Sequence, residues 1–167
     1  MIDRPVLSLM FAAAIGSGLI AGVFFAFSSF VMPALRRLPA AQGVAAMQSI
    51  NIMVLNPMFL GVFLGTAIGC LLLVVIALLN WHKPGATCLG AGGAIYLLGT
   101  FAVTALFNVP RNDALAALDP ANAESVRLWA EYVAGWTLWN HVRTIAAIAA
   151  TILLMIAIWT SSARGTI

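Results

Sequence analysis

Residues Met58 to Leu79 read MFLGVFLGTAIGCLLLVVIALL, a run with no charge and no proline. As an α-helix rising 1.5 Å per residue it reaches about 33 Å, enough to cross a hydrocarbon core of ~30 Å. Lipid offers no partner for a bare N–H or C=O, so a lone spanning run must be a helix rather than a strand. Three further stretches pass the same filter. Val6 to Met32 is uncharged between Arg4 and Arg36, Ala86 to Phe107 is uncharged throughout, and Trp136 to Trp159 carries one charge, Arg143. The expected fold is therefore all-α, a four-transmembrane-helix bundle forming a single membrane-embedded domain, with spans at about 6–32, 58–79, 86–107 and 136–159. The first run is longer than a signal-peptide core, so it reads as a retained span.

Composition agrees. Of 167 residues, 63% are hydrophobic and 8% charged, with a net charge of +3 and a mean hydropathy of +1.05. Soluble domains are about 25% charged, and a water-exposed surface could not be covered by so few charges. Disorder is excluded, because its signature is low hydrophobicity. A nucleic-acid partner is excluded too: the eight basic residues are scattered among apolar runs and make no phosphate-tracking stripe, despite a pI near 9.4.

The connections are unequal. Asn80 to Gly85 is a short turn holding Trp81, His82 and Lys83, whereas Pro33 to Pro57 and Asn108 to Gly135 are both long. With four spans the two long loops share one side of the membrane. Each is expected to carry a short amphipathic helix. Ala40 to Leu55 sets Val44, Met47, Asn51 and Leu55 at helical spacing, and Asp119-Pro120 reads as an N-cap and first-turn proline opening a helix towards Tyr132. The basic residues nearly balance: Arg4, Lys83 and Arg164 stand against Arg36, Arg37, Arg111 and Arg127. The count decides little by itself, and the termini are expected on the cytoplasmic side. Phe30-Val31-Met32-Pro33 and Phe107-Asn108-Val109-Pro110 hint at an internal repeat of two hairpins.

Gly61, Gly65 and Gly69 recur every four residues, as do Gly18 and Gly22. Small residues at this spacing let membrane helices approach closely. The stripe serves either packing inside the bundle or a homo-oligomer face. Cys70 and Cys88 read as small apolar core residues, a disulfide being conceivable.

Polar side chains gather on the long-loop side. At about 100° per residue, Trp136, Asn140, Arg143, Thr144, Ala147 and Thr151 share one arc of the fourth helix, with His141 beside them. Tyr96, Thr100, Thr104 and Asn108 form a matching stripe on the third, and Ser17 and Ser28 could add hydroxyls from the first. Arg143 either faces inward or snorkels to the interface. His141 reads as a structural group, a base or a ligand. One His with Asp113, Glu124 or Glu131 could hold a metal, though no ligand spacing supports it. Trp129, Tyr132, Trp136 and Trp139 form either an interfacial belt or, if one helix runs through Gly135, a stripe for a flat aromatic ligand.

Several of these segments resemble the anthrone-oxygenase-like family of small four-helix membrane proteins: Ala21-Gly22-Val23-Phe24-Phe25-Ala26-Phe27-Ser28, Met32-Pro33-Ala34-Leu35, Met47-Gln48 with Asn51, and Asn56-Pro57. The most specific are Asn108-Val109-Pro110-Arg111-Asn112 and Trp136 followed by Trp139-Asn140-His141-Val142-Arg143-Thr144. The resemblance implies oxygenation of a planar polycyclic anthrone to an anthraquinone without a firmly established cofactor, and none is expected here. In that chemistry a base takes an acidic C–H proton and the electron-rich enolate reacts with dioxygen. His141 is the candidate base. Arg143 and Asn140, with Asn108 or Asn112, are candidates to stabilise the enolate oxygen. Trp129, Tyr132, Trp136 and Trp139 are candidates to stack on the rings, with Asn56 and Thr104 completing the ligand site. The alternative is a non-catalytic bundle that binds a lipid or quinone-like molecule or serves a larger assembly. Expected partners are an apolar small molecule and membrane lipid, with a homo-oligomer through the Gly61/Gly65/Gly69 face. The expected location is a bacterial-type plasma membrane.

Overall fold

The computed structural model describes residues 4–122 and 124–163, and in it each apolar run is a helix that outlasts its hydrophobic segment. Helix α1 (Arg4–Ala26) passes through a π-helical segment, Phe27–Val31, into the short α2 (Met32–Leu35). Helix α3 (Ala40–Met53) occupies the first long connection and α4 (Pro57–Leu79) is the second span. Helix α5 (Ala86–Ile95) continues through π-helical segments Tyr96–Ala102 and Thr104–Asn108 into α6 (Val109–Ala116). Helix α7 (Ser125–Ala163) is one rod of 39 residues. The described residues contain no strand. Four helical stretches, Arg4–Leu35, Pro57–Leu79, Ala86–Ala116 and Val126–Ser161, are long and apolar enough to cross a membrane, and the chain is an integral membrane protein.

The packing order is cyclic: α1 lies against α4 and α7, and α5 lies against the same two. Met10, Ile20, Phe24, Phe63, Leu73, Tyr96 and Leu154 fill the centre. Close approach depends on small residues, but not on the expected stripe. A Cβ on Gly16 would fall 2.0 Å from Thr66 Oγ1, and one on Gly93 2.8 Å from the Cys70 carbonyl oxygen. Gly61 and Gly65 have nothing within 4 Å, and Gly69 makes only ordinary contact with Leu9 and Ala13. The packing reading of that stripe therefore fails at its first two members, which lie on the outer face of α4. Both cysteines are free, Cys70 being buried.

Pro33 and Pro110 explain two of the π-helical segments. Proline has no N–H, and its ring presses on the carbonyl four residues back, so the preceding turn must open. Each proline stands two residues after a π-helical segment, Phe27–Val31 or Thr104–Asn108, so the two matched motifs share a local backbone. Beyond them the halves differ: the first is interrupted between α3 and α4, whereas α7 runs unbroken through Gly135.

Above the membrane portion, α2, α3, α6 and the first third of α7 form a helical cap. Its own core contains Met32, Val44, Met47, Leu115, Trp129, Tyr132, Val133 and Trp136. Gly43 lets α3 lie against Trp129, since a Cβ there would come within 2.7 Å of the indole ring. The Gln48 amide donates to the carbonyls of Leu115 (2.9 Å) and Leu118 (3.0 Å), tying α3 to the end of α6. The two long connections thus meet on one side, as expected.

Two boundaries move. Helix α7 begins at Ser125 rather than at Asp119-Pro120. There the Asp119 carboxylate accepts from the Ala121 N–H (2.9 Å) and the Asn122 side chain from the Glu124 N–H (3.0 Å), local turns that compete with a helix start. Leu55 falls beyond α3 and is exposed, whereas Val44 and Met47 are buried. Arg164, counted above for the short-turn side, lies outside the described residues.

Candidate functional site

Arg143 is the centre of a buried polar cluster. It is 3% exposed, so it faces inward rather than snorkelling. One guanidinium nitrogen donates to the Asn140 side-chain oxygen (2.7 Å) and another to Thr104 Oγ1 (3.2 Å). The group lies 4.1 Å from the Phe24 ring centroid and 5.0 Å from that of Trp136, so aromatic faces stand where a carboxylate would otherwise balance the charge. The Asn140 amide donates to the Phe24 carbonyl and to Ser28 Oγ, both at 2.8 Å. Ser28 and Thr144 share a hydrogen bond of 3.1 Å, and Ser17 Oγ donates to the Ala147 carbonyl at 3.0 Å. The Asn108 amide donates to the Trp136 carbonyl at 3.2 Å. The two polar arcs read from the sequence do face each other. Asn108 and Asn140 are 1% and 0% exposed, however, so no water-sized space remains at either side chain.

The aromatic stripe also folds inward. Trp129 and Tyr132 stack at 5.6 Å between centroids, Tyr132 and Trp136 at 6.4 Å, and Trp139 stacks on Phe107 at 3.6 Å. Asn112 accepts hydrogen bonds from Tyr132 Oη (2.9 Å) and Trp136 Nε1 (2.8 Å). Because α7 continues through Gly135, these rings fall over one another and fill the cap. The slot expected between them for a flat ligand is taken by the rings themselves. Asn56 is likewise committed elsewhere: it caps α4, accepting from the Phe59 N–H (2.9 Å) while its amide donates to the Met53 carbonyl (2.9 Å).

His141 stands apart from all of this. It is exposed, on the side of α7 away from Arg143, and lines a groove of about 900 Å³ between the α2 end of the first helix and α7. Trp129 and Thr137 line it too, as do Arg36 and Arg37. The Thr137 hydroxyl is buried and has no hydrogen-bond partner. Arg36 and Arg37 stand just beyond Leu35, where the first apolar helical stretch ends. Of the expected site residues, then, only His141 and Trp129 line this groove; Asn108, Thr104, Asn140 and Arg143 form the cluster behind it. Arg36, Arg37 and Thr137 are the residues the sequence reading passed over. Arg36-Arg37 directly follows the Met32-Pro33 motif, which was the available signal.

Among the described residues no three His, Cys, Asp or Glu side chains gather as metal ligands. Glu124 and Glu131 both pair with Arg127, at 2.8 and 2.7 Å, on the cap surface.

No curated protein and no solved structure matches the chain. The anthrone oxygenase family model matches residues 56–153, from the start of α4 into α7, and so includes Thr104, Asn108, Asn140 and Arg143, the cap aromatics and His141. With more than half its length matched, and both of its most specific motifs inside the match, the chain belongs to the anthrone oxygenase family.

Proposed function

We propose that this protein oxidises a planar polycyclic ketone or phenol with dioxygen in the groove beside His141. The supporting observation is the placing of His141: an imidazole exposed in a groove whose volume suits a small-molecule site and whose walls are mostly apolar. Its role is to take the acidic C–H proton. The resulting enolate gives electrons to dioxygen; one oxygen atom ends in the new carbonyl and the other leaves as water. Arg36 and Arg37 are the cations available to steady the enolate oxygen. Trp129 offers one aromatic wall. No bound cofactor is called for, since the enolate is itself the reductant.

Arg143 and Asn140 act as positioning residues. They pin α7 to α1 and to the π-helical segment Thr104–Asn108, and so set the face on which His141 stands. Asn108 and Asn112 hold Trp136 and the cap in the same way. Gly61 and Gly65, open to the outside, remain the proposed contact face for a second copy.

The test is oxygen uptake by the purified protein with an anthrone, measured above the spontaneous rate. His141→Ala should remove most of the gain; equal rates for wild type and variant would sink the assignment. One observation favours a second reading. His141 makes no hydrogen bond among the described residues, so nothing orients it as a base, and a groove that binds without turnover would need no such partner. Under that reading the wild type itself shows no gain over the spontaneous rate.

A further inference from the structure

The groove has a charge pattern that oxygen chemistry alone does not require. Among the described residues its lining includes Arg36, Arg37 and His141 and no carboxylate. The rest is largely apolar, with Met32, Pro33, Val133 and Leu138 prominent. Leu138 is 60% exposed and leads without a break to Val142 and Ile145, which face the lipid along α7. The groove is therefore open on its flank to this apolar face, and its two cations stand just past the end of the first span, where basic residues meet lipid phosphates. Basic residues beside an anionic leaflet are drawn to its headgroups. A volume of about 900 Å³ stands near the top of the ~300–1,000 Å³ range for small-molecule sites, leaving room for a long apolar body.

We infer that the groove takes acid-headed apolar molecules sideways from the bilayer, the negative group seated at Arg36 and Arg37 and the body lying along Met32, Val133 and Leu138. This rests on reading the groove as a ligand site and not on the reaction placed in it. Two sources supply such a molecule: an acidic phospholipid of the surrounding leaflet, and a planar aromatic acid dissolved in it. If the phospholipid is the occupant, membrane composition regulates the site by competition.

The experiment uses the full chain in phosphatidylcholine nanodiscs and reads binding without oxygen turnover. In one arm, a fixed fraction of dibrominated phosphatidylglycerol is compared with dibrominated phosphatidylcholine as a quencher of tryptophan emission. In the other, anthracene-9-carboxylate is compared with anthracene-9-methanol by the polarisation of the probe's own fluorescence. An acidic occupant should quench at least two-fold more, or bind at least five-fold tighter, than its neutral counterpart. That excess should vanish in Arg36→Gln/Arg37→Gln, and the excess quenching should shrink in Trp129→Phe. The arm that shows the excess identifies the source. Equal behaviour of acidic and neutral probes in both arms overturns the inference, as does an excess that survives the double substitution. Loss of anthrone oxidation in His141→Ala bears on the catalytic reading alone, so the two can fail separately.

Discussion

His141 and Arg143 are two residues apart on α7 and face opposite sides of it: His141 opens on the groove, while Arg143 is buried against Phe24 and Trp136. Two steps along an α-helix turn about 200°, so neighbours in this motif cannot both reach one small ligand. Each therefore carries a separate expectation.

His141→Ala should leave thermal stability in detergent within about 0.5 kcal/mol of wild type, as expected for an exposed position that makes no hydrogen bond among the described residues. A large fall in the unfolding midpoint would place the imidazole in the fold rather than in the chemistry.

Arg143 separates structure from catalysis through a pair of variants. Arg143→Ala removes two hydrogen bonds and two aromatic contacts and opens a cavity, which should cost about 2–4 kcal/mol. Arg143→Met keeps most of the volume and relieves a charge that costs about 2.5–3.5 kcal/mol in the membrane, so the loss should be under ~1 kcal/mol. As a positioning residue Arg143 should tolerate Met with most turnover retained; a stable but inactive Arg143→Met would return it to the reacting centre.

Asn56→Ala should cost about 1 kcal/mol of stability through the lost α4 cap, while the affinity for a groove ligand stays the same. A ligand-affinity change without destabilisation would restore Asn56 as a binding residue.

Gly43→Leu should destabilise the cap by about 1–3 kcal/mol, because its Cβ alone would lie 2.7 Å from the Trp129 ring. A shift in tryptophan emission accompanying a lower unfolding midpoint is the expected signature, and an unchanged protein would contradict the packing of α3 on α7.

Elemental analysis of the purified protein should find no stoichiometric metal, and chelator treatment should leave oxygen uptake unchanged. One iron or copper per chain that is needed for turnover would overturn the cofactor-free mechanism.

The four spans, the shared side of the long connections and the inward polar arcs of the third and fourth helices were legible in the chain, because each depends on local periodicity and on the cost of charge in lipid. The α3 helix was visible for the same reason. Asp119-Pro120 reads as a helix start but is none, because the side chains of Asp119 and Asn122 accept from the N–H groups of Ala121 and Glu124 in local turns, hydrogen bonds that an N-cap pattern shares. Trp136 to Thr144 reads from the sequence as one site because its polar residues are adjacent on or beside one arc of the helix. Adjacency says nothing about which neighbours fill the space.

By itself the sequence determined the membrane class and the number of spans, which follow from composition and spacing, and its motifs carried the family resemblance. Tertiary structure decided what each polar residue does. The π-helical segments before Pro33 and Pro110 and the unbroken run of α7 through Gly135 set the rotation of the helices. That rotation sent Arg143, Asn140 and Asn108 into contacts with other helices, and it brought His141 to the groove that Arg36 and Arg37, distant in the chain, also line.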